Sequence, residues 1–262
     1  MSVTVRDLAR YKAEGRRFVM LTAYDFPTAR ILDEAGIPVL LVGDTLGQVA
    51  LGYETTIPVT MGEMLHHSRA VARGASRALV VGDMPFGSYQ ASLQEGIRNA
   101  IRFLKEGGVQ AVKVEGPQLE LTHALRERGI PVMGHLGLTP QSIHLKGGYR
   151  VQARTEEGAH RLVTHAMGME KAGAFSIVLE AIPSAVAEAV TRAVGVPTIG
   201  IGAGPHCDGQ VLVINDLLGL GGGDYRFVKR YANLEETITE AVSRFRAEVE
   251  AGSFPDEAHS YA

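Results

Sequence analysis

Residues 111–116 read AVKVEG, a short β-branched run that carries Lys113 and Glu115 two positions apart. Alternation along a strand turns Ala111, Lys113 and Glu115 to one face and Val112 and Val114 to the other. A buried charge without a partner is strongly disfavoured, so Lys113 and Glu115 require a counter-charge, a ligand or solvent. Three further apolar runs end in acids: PVLLVGD at Asp44, ALVVGD at Asp83 and FSIVLEA at Glu180. If one fold brings these ends together, like charges about 4 Å apart repel by roughly 4 kcal/mol at an effective dielectric near 20. One lysine does not balance four carboxylates. Hard oxygen ligands suit Mg2+, which uses few protein carboxylates and keeps water or substrate at its other positions. The competing reading for any single strand-end Asp is a cap on the following turn.

The elements that must position these residues can be read from the hydrophobic pattern. Eight strand-length runs occur at 17–23, 38–44, 78–83, 111–116, 131–137, 175–181, 197–204 and 211–216. Segments with helical spacing lie between most of them, at 25–36, 60–74, 91–107, 117–128, 155–173 and 183–195, with another at 233–251. Near-continuous apolarity implies strands covered on both faces, and eight of them alternating with helices predict an α/β fold, a closed (β/α)8 TIM barrel formed by a single domain, 1–262. An open doubly wound sheet is the alternative. Only GAGPHCDGQ separates strands seven and eight, too little for a full helix, and residues 4–13 predict an extra N-terminal helix that covers the barrel bottom. Two long connections, 43–59 and 136–154, follow strands and so belong to the C-terminal face, where barrel active sites are built.

Composition narrows the function. Hydrophobic residues at 45% and charged residues at 21% are ordinary globular usage, which removes disorder and coiled coil from consideration. A net charge of −3 gives no footprint for nucleic acid or an anionic membrane. The N-terminus has no apolar signal core and no run approaches the roughly 20 residues of a bilayer span, so a soluble, cytoplasmic protein is expected. Cys207 is the only cysteine, which rules out an intrachain disulfide and a Cys-based zinc site. His66 and His67 are adjacent and diverge on a helix, and Asp25 reads as the cap of the helix before Pro27. GIGAG at 200–204 and GLGGGD at 219–224 both miss the dinucleotide-binding spacing, and neither a P-loop nor a nucleophile elbow occurs. His135, at the end of strand five, either bonds a substrate or satisfies a backbone group.

Several long, ordered segments carry a family resemblance: LTAYDFPTA, VGDTLGQVALGYETTIPVT, VVGDMPFGSY, AVKVEG, PVMGHLGLTPQS, GGYRVQ, VLEAIP and IGIGAGPHCDGQVLVINDLLGL. Over nearly its whole length the chain resembles ketopantoate hydroxymethyltransferases. The resemblance implies a barrel of the phosphoenolpyruvate mutase and isocitrate lyase type, a homodecamer, bound Mg2+ and 5,10-methylenetetrahydrofolate as one-carbon donor. It implies that Asp44 and Asp83 bind the metal, with Glu115 as a third acidic position acting directly or through water. It assigns Lys113 to substrate binding and Glu180 to proton acceptance. Thr45 falls where the family commonly has serine, keeping the hydroxyl and adding a methyl, and GQVALGYE departs from the more familiar GMVVLGYD.

The implied chemistry fits the charges read from the residues. A 2-oxo acid, 3-methyl-2-oxobutanoate, chelates Mg2+ next to Asp44, Thr45, Asp83, Lys113 and His135, Glu180 moves the C3 proton, and the enolate takes the methylene carbon to give ketopantoate. Two other readings remain open: an Mg-dependent 2-oxo acid lyase or phosphonopyruvate mutase-like enzyme, and a barrel that binds small acids without turnover. Lys146, Arg150 and Arg154 either meet the glutamyl tail of the folate or belong to a solvated loop.

Overall fold

A computed structural model describes residues 2–221, 223 and 225–261; Gly222 and Asp224 of the GLGGGD stretch lie outside the described residues. The chain divides into two compact units, Met1–Val213 and Ile214–Ala262.

The first unit begins with α1 (Val5–Ala13), opened by a capping box between Thr4 and Asp7. The elements β1 (Phe18–Thr22), α2 (Phe26–Glu34), β2 (Val39–Val42), α3 (Leu46–Val49), α4 (Met61–Gly74), β3 (Leu79–Asp83), α5 (Leu93–Arg102) and β4 (Ala111–Glu115) follow. Next come α6 (Leu119–Arg126), β5 (Val132–Gly137), α7 (Ile143–Lys146), α8 (Glu156–Ala172), β6 (Ser176–Glu180), α9 (Ser184–Ala193), β7 (Thr198–Ile201) and β8 (Gly209–Leu212). All eight strands pair in parallel with their sequence neighbours, and β8 returns to β1 through Phe18↔Gly209 and the three following pairs. The sheet is the predicted closed (β/α)8 barrel.

Local chemistry explains the boundaries. The Asp25 side chain accepts from Thr28 N–H at 2.8 Å and starts α2 as expected, while Thr60 and Glu63 exchange capping bonds at the start of α4. The helix predicted over 91–107 is regular only to Arg102 and then widens into a π-turn, Phe103–Gly107. That turn sets the Phe103 ring against Gly82 of β3, where a Cβ would stand 2.5 Å from Phe103 Cδ1. The β7–β8 connection has no helix, as its shortness predicts. It is held by Asp208, which accepts from Thr198 N–H at 2.8 Å and faces Lys12 Nζ at 3.1 Å. One boundary differs from the sequence reading: the strand predicted over 211–216 is β8 at Gly209–Leu212. Pairing with β1 ends at Leu21↔Leu212, and from Ile214 the run is helical.

Alternation sorts the barrel interior by height. Phe18, Met20, Val39, Leu41, Leu79, Val81, Ala111, Met133, Val178, Ile199 and Val211 form one apolar cluster, and Leu8 and Tyr11 of α1 join it from below. The expected N-terminal helix therefore closes the bottom of the barrel. Two and four positions further along their strands, the same inward rows carry Asp83, Lys113, Glu115 and His135.

The second unit contains α10 (Ile214–Leu218) and α11 (Leu234–Glu250). No residue of α11 is buried, and Ile238, Val242, Phe245 and Val249 make an exposed apolar stripe at helical spacing. Among the described residues no helix is long and apolar enough to cross a membrane.

Candidate active site

Strand register answers how a core strand tolerates two charges. β3 and β4 align Asp83 with Lys113, β4 and β5 align Glu115 with His135, and β5 and β6 align Gly137 with Glu180. Opposite charges thus face each other on neighbouring strands before any loop contributes. Lys113 Nζ lies 2.8 Å from Asp83 Oδ1, 3.2 Å from His135 Nδ1 and 4.0 Å from Glu115 Oε1. His135 Nδ1 is 3.4 Å from Glu115 Oε1, and its Nε2 is 3.1 Å from Glu180 Oε2. Asp44 arrives from the loop after β2, and its backbone N–H donates to Asp83 Oδ2 at 3.2 Å.

Every site residue expected from the sequence lines one cavity: Asp44, Thr45, Asp83, Lys113, Glu115, His135 and Glu180, with about 410 Å3 of space between atoms, part of it open to solvent. All but Thr45 and Glu180 are buried. Val178, Ile201 and Val211 supply an apolar floor. A second cleft, lined by Arg16, Arg17, Asp33 and Arg77, lies at the opposite ends of the strands, away from these groups.

The electrostatics follow from burial and crowding. Burial pushes the Asp44 carboxyl well above its usual range, and Asp83 and Glu115 add to the rise. Asp83 is also raised by burial, although Lys113 opposes it. Burial would raise Glu115 too, but His135, Lys113 and the Gln141 N–H outweigh it and hold that carboxyl low. Burial pulls Lys113 down, yet the three acids overcome it and keep the ammonium charged. Burial and Lys113 both push the His135 imidazole down, whereas Glu115 and Glu180 raise it to about 9.

The donor set fits a hard cation. Asp83 Oδ1, Glu115 Oε1 and His135 Nε2 are buried with only ionic partners, Lys113 Nζ at 2.8 Å, His135 Nδ1 at 3.4 Å and Glu180 Oε2 at 3.1 Å, so the carboxylate oxygens keep lone pairs that face the cavity. Among the described residues, however, no group of three or more acidic, histidine or cysteine side chains forms a ready cage for an ion. Two protein carboxylates with water and a chelating substrate are the usual complement for Mg2+, and Asp44 and Asp83 are the pair available.

Sequence reasoning missed two members of this layer. Gln141, from the 136–154 loop, donates through Nε2 to Asp44 Oδ2 and to Met84 O, both at 2.9 Å, and through its backbone N–H to Glu115 Oε2 at 3.0 Å. Tyr89, after β3, donates its hydroxyl proton to Gln141 Oε1 at 2.7 Å and accepts from Glu115 N–H at 3.1 Å. Both lie inside the quoted family segments VVGDMPFGSY and PVMGHLGLTPQS, the one signal that marked them. In the basic stretch, Lys146 folds back so that its ammonium donates to Gly137 O, while Arg150 and Arg154 are exposed. His67 is packed, with Nδ1 2.6 Å from Tyr24 O, and Cys207 is buried.

A sequence model of the ketopantoate hydroxymethyltransferase family matches residues 2–257. A protein of Thermobifida fusca named 3-methyl-2-oxobutanoate hydroxymethyltransferase is 56% identical over 99% of this chain and 94% of its own length. Among solved structures, 2,3-dimethylmalate lyase, a member of the PEP mutase/isocitrate lyase superfamily, superposes with a TM-score of 0.60 at 15% identity over 100% of this chain and 93% of that one. A phosphonopyruvate hydrolase in complex with oxalate and Mg2+ gives 0.61 at 15% identity, over 98% and 93%. These two likenesses establish the barrel type and the first two comparisons establish the relationship: the chain belongs to the ketopantoate hydroxymethyltransferase family.

Proposed function

We propose that this chain, acting as one catalytic domain, transfers a hydroxymethyl group from 5,10-methylenetetrahydrofolate to 3-methyl-2-oxobutanoate, giving ketopantoate and tetrahydrofolate in the cytoplasmic synthesis of pantothenate. The observation that carries this reading is the layer of inward charges in which Lys113 stands between Asp83 and Glu115 while Glu180 waits at the rim on His135.

Asp44 and Asp83 would hold Mg2+, with Glu115 as the third acidic position acting directly or through water. When bound, the ion supplies a Lewis acid that polarises the 2-oxo group and steadies negative charge as the C3 proton leaves. Lys113 points its ammonium at the same oxygen layer and stabilises the developing oxyanion. Thr45 offers a hydroxyl to the substrate carboxylate. Glu180, part exposed at the end of β6, accepts the C3 proton, and His135 fixes its direction from behind. The C3 carbanion then forms a bond to the methylene carbon of the folate as one of its two C–N bonds breaks, water displaces the second nitrogen and leaves its oxygen as the hydroxyl, and the two folate nitrogens take the proton held by Glu180 and one from the water. Arg150 and Arg154, exposed in the 136–154 connection, are candidates to meet the glutamyl tail. A homodecamer completes the proposal, and the apolar stripe of α11 supports burial of that helix between subunits.

The test is to incubate the protein with Mg2+ and 3-methyl-2-oxobutanoate in D2O and follow C3 deuteration by NMR. Exchange followed by folate-dependent ketopantoate formation is the expected result. Exchange without that product would favour a 2-oxo acid lyase or mutase-like enzyme, and ligand-induced thermal stabilisation without exchange a non-catalytic binder. Glu180→Gln is expected to slow exchange by about 10²- to 10⁴-fold, and full turnover would reject the assigned base.

A further inference from the structure

We propose that Gln141 is the positioning residue of the metal-facing acids: it clamps Asp44 and Glu115 in their working directions from behind, and Tyr89 sets which way its amide points. The role of the cation in this proposal rests on the function proposed above.

Gln141 is buried, and its hydrogen-bonding capacity is fully used within the protein. Its amide NH2 gives one proton to Asp44 Oδ2 and the other to Met84 O, its amide oxygen accepts from Tyr89 OH and from Gln90 Nε2 at 3.1 Å, and its backbone N–H serves Glu115 Oε2. A side chain with both donors and both lone pairs committed has nothing left for a substrate, so it works through the residues it holds. The amide orientation is determined by its neighbours. The Tyr89 oxygen already accepts from Glu115 N–H, which directs its proton to Gln141, and a flipped amide would set its oxygen against both Asp44 and Met84 O.

The chain path gives this residue its reach. Gln141 enters from the loop after β5, Asp44 from the loop after β2, Tyr89 from the loop after β3, and Glu115 ends β4. One residue thereby joins four strand ends, its neutral side chain holding Asp44 and the groups after β3 and its backbone N–H holding Glu115. Neutrality matters, because a second carboxylate at this place would repel Asp44, whereas an amide restrains it without adding charge to a crowded layer.

The proposal is tested with full-length Gln141→Leu, Gln141→Glu and Tyr89→Phe proteins, measuring Mg2+ affinity by calorimetric titration, thermal melting without metal, and KM against kcat for the oxo acid. Both Gln141 variants are expected to weaken Mg2+ binding by about 10- to 100-fold, and Tyr89→Phe by less because the amide remains. The Gln141 variants lose buried hydrogen bonds and should melt lower without metal, whereas Tyr89→Phe should melt closer to the unaltered protein, and in all three KM for the oxo acid should rise more than kcat falls. Unchanged Mg2+ affinity in the Gln141 variants, or lower melting points with unchanged affinity, would overturn the role. If the Gln141 variants do not fold, Tyr89→Phe decides, and wild-type affinity there overturns it. Deuterium exchange by the unaltered protein reports separately on the reaction: its absence with Mg2+ binding intact would sink the proposed function while leaving the affinity ratios interpretable, and absence of Mg2+ binding would sink the clamp.

Discussion

Lys113 answers two buried carboxylates at once, Asp83 at 2.8 Å and Glu115 at 4.0 Å. Removing one member of a buried ionic group leaves its partners unmatched, so Lys113→Ala should destabilise the metal-free protein by about 3–5 kcal/mol. In the reaction proposed above it should also lower kcat/KM by about 10²- to 10³-fold, through loss of the proposed oxyanion donor. Denaturant titration and steady-state kinetics check the two halves, and a variant as stable and active as the parent would remove Lys113 from both roles. At this scale the sequence was legible wherever burial made a residue expensive. Lys113, Glu115, Asp44, Asp83 and Glu180 could be picked out because a charge at the end of an apolar strand demands an explanation. His135 was left between a substrate bond and a backbone bond, and in the structure its ring stands against Glu115 and Glu180. Gln141 and Tyr89 raised no such demand. A neutral polar residue in a loop is the commonest thing a sequence contains, and only the fold shows which of them lie behind a carboxylate.

Helices and strands were legible through periodicity, and the errors occur where periodicity is shared by two states. The run at 211–216 is β-branched and apolar whether it ladders or coils, so its composition could not show that pairing ends at Leu212. The junction between α2 and β3 depends on a contact that spacing does not reveal. Asp33, buried near the end of α2, accepts from Ala78 N–H at 2.7 Å, Arg77 N–H at 2.9 Å and Ser76 Oγ at 3.0 Å. It thereby fixes where β3 begins. Burial alone would raise this carboxyl, but the converging donors outweigh it and hold its pKa below the ordinary 3.8. A depressed carboxylate contributes stability that is present above its unfolded pKa and lost as pH falls through the folded value. Asp33→Asn is therefore expected to cost about 2–4 kcal/mol near neutral pH, and the gap from the parent should close below about pH 4. Urea titrations across pH 3–7 measure it; a gap that persisted undiminished at the lowest pH would show that charge is not the cause.

For the whole molecule, the count of strands and the alternation with helices were enough to predict closure, because eight doubly covered parallel strands leave few other arrangements. The assembly was not legible in the same way, since a surface stripe looks like any amphipathic face until its burial is known. In α11 the apolar positions Ile238, Val242, Phe245 and Val249 remain outside. Paired substitutions Val242→Glu and Phe245→Glu should lower the sedimenting mass while leaving the circular dichroism of the barrel intact. A mass equal to the parent's would take α11 out of subunit contacts. The floor of the barrel has a different bearing. Because Leu8 and Tyr11 stopper the lower mouth, every reactant must come and go by a single doorway. In the reaction proposed above, the small acid would then have to be seated before the bulky carbon donor covers it, and could leave only after the donor has gone.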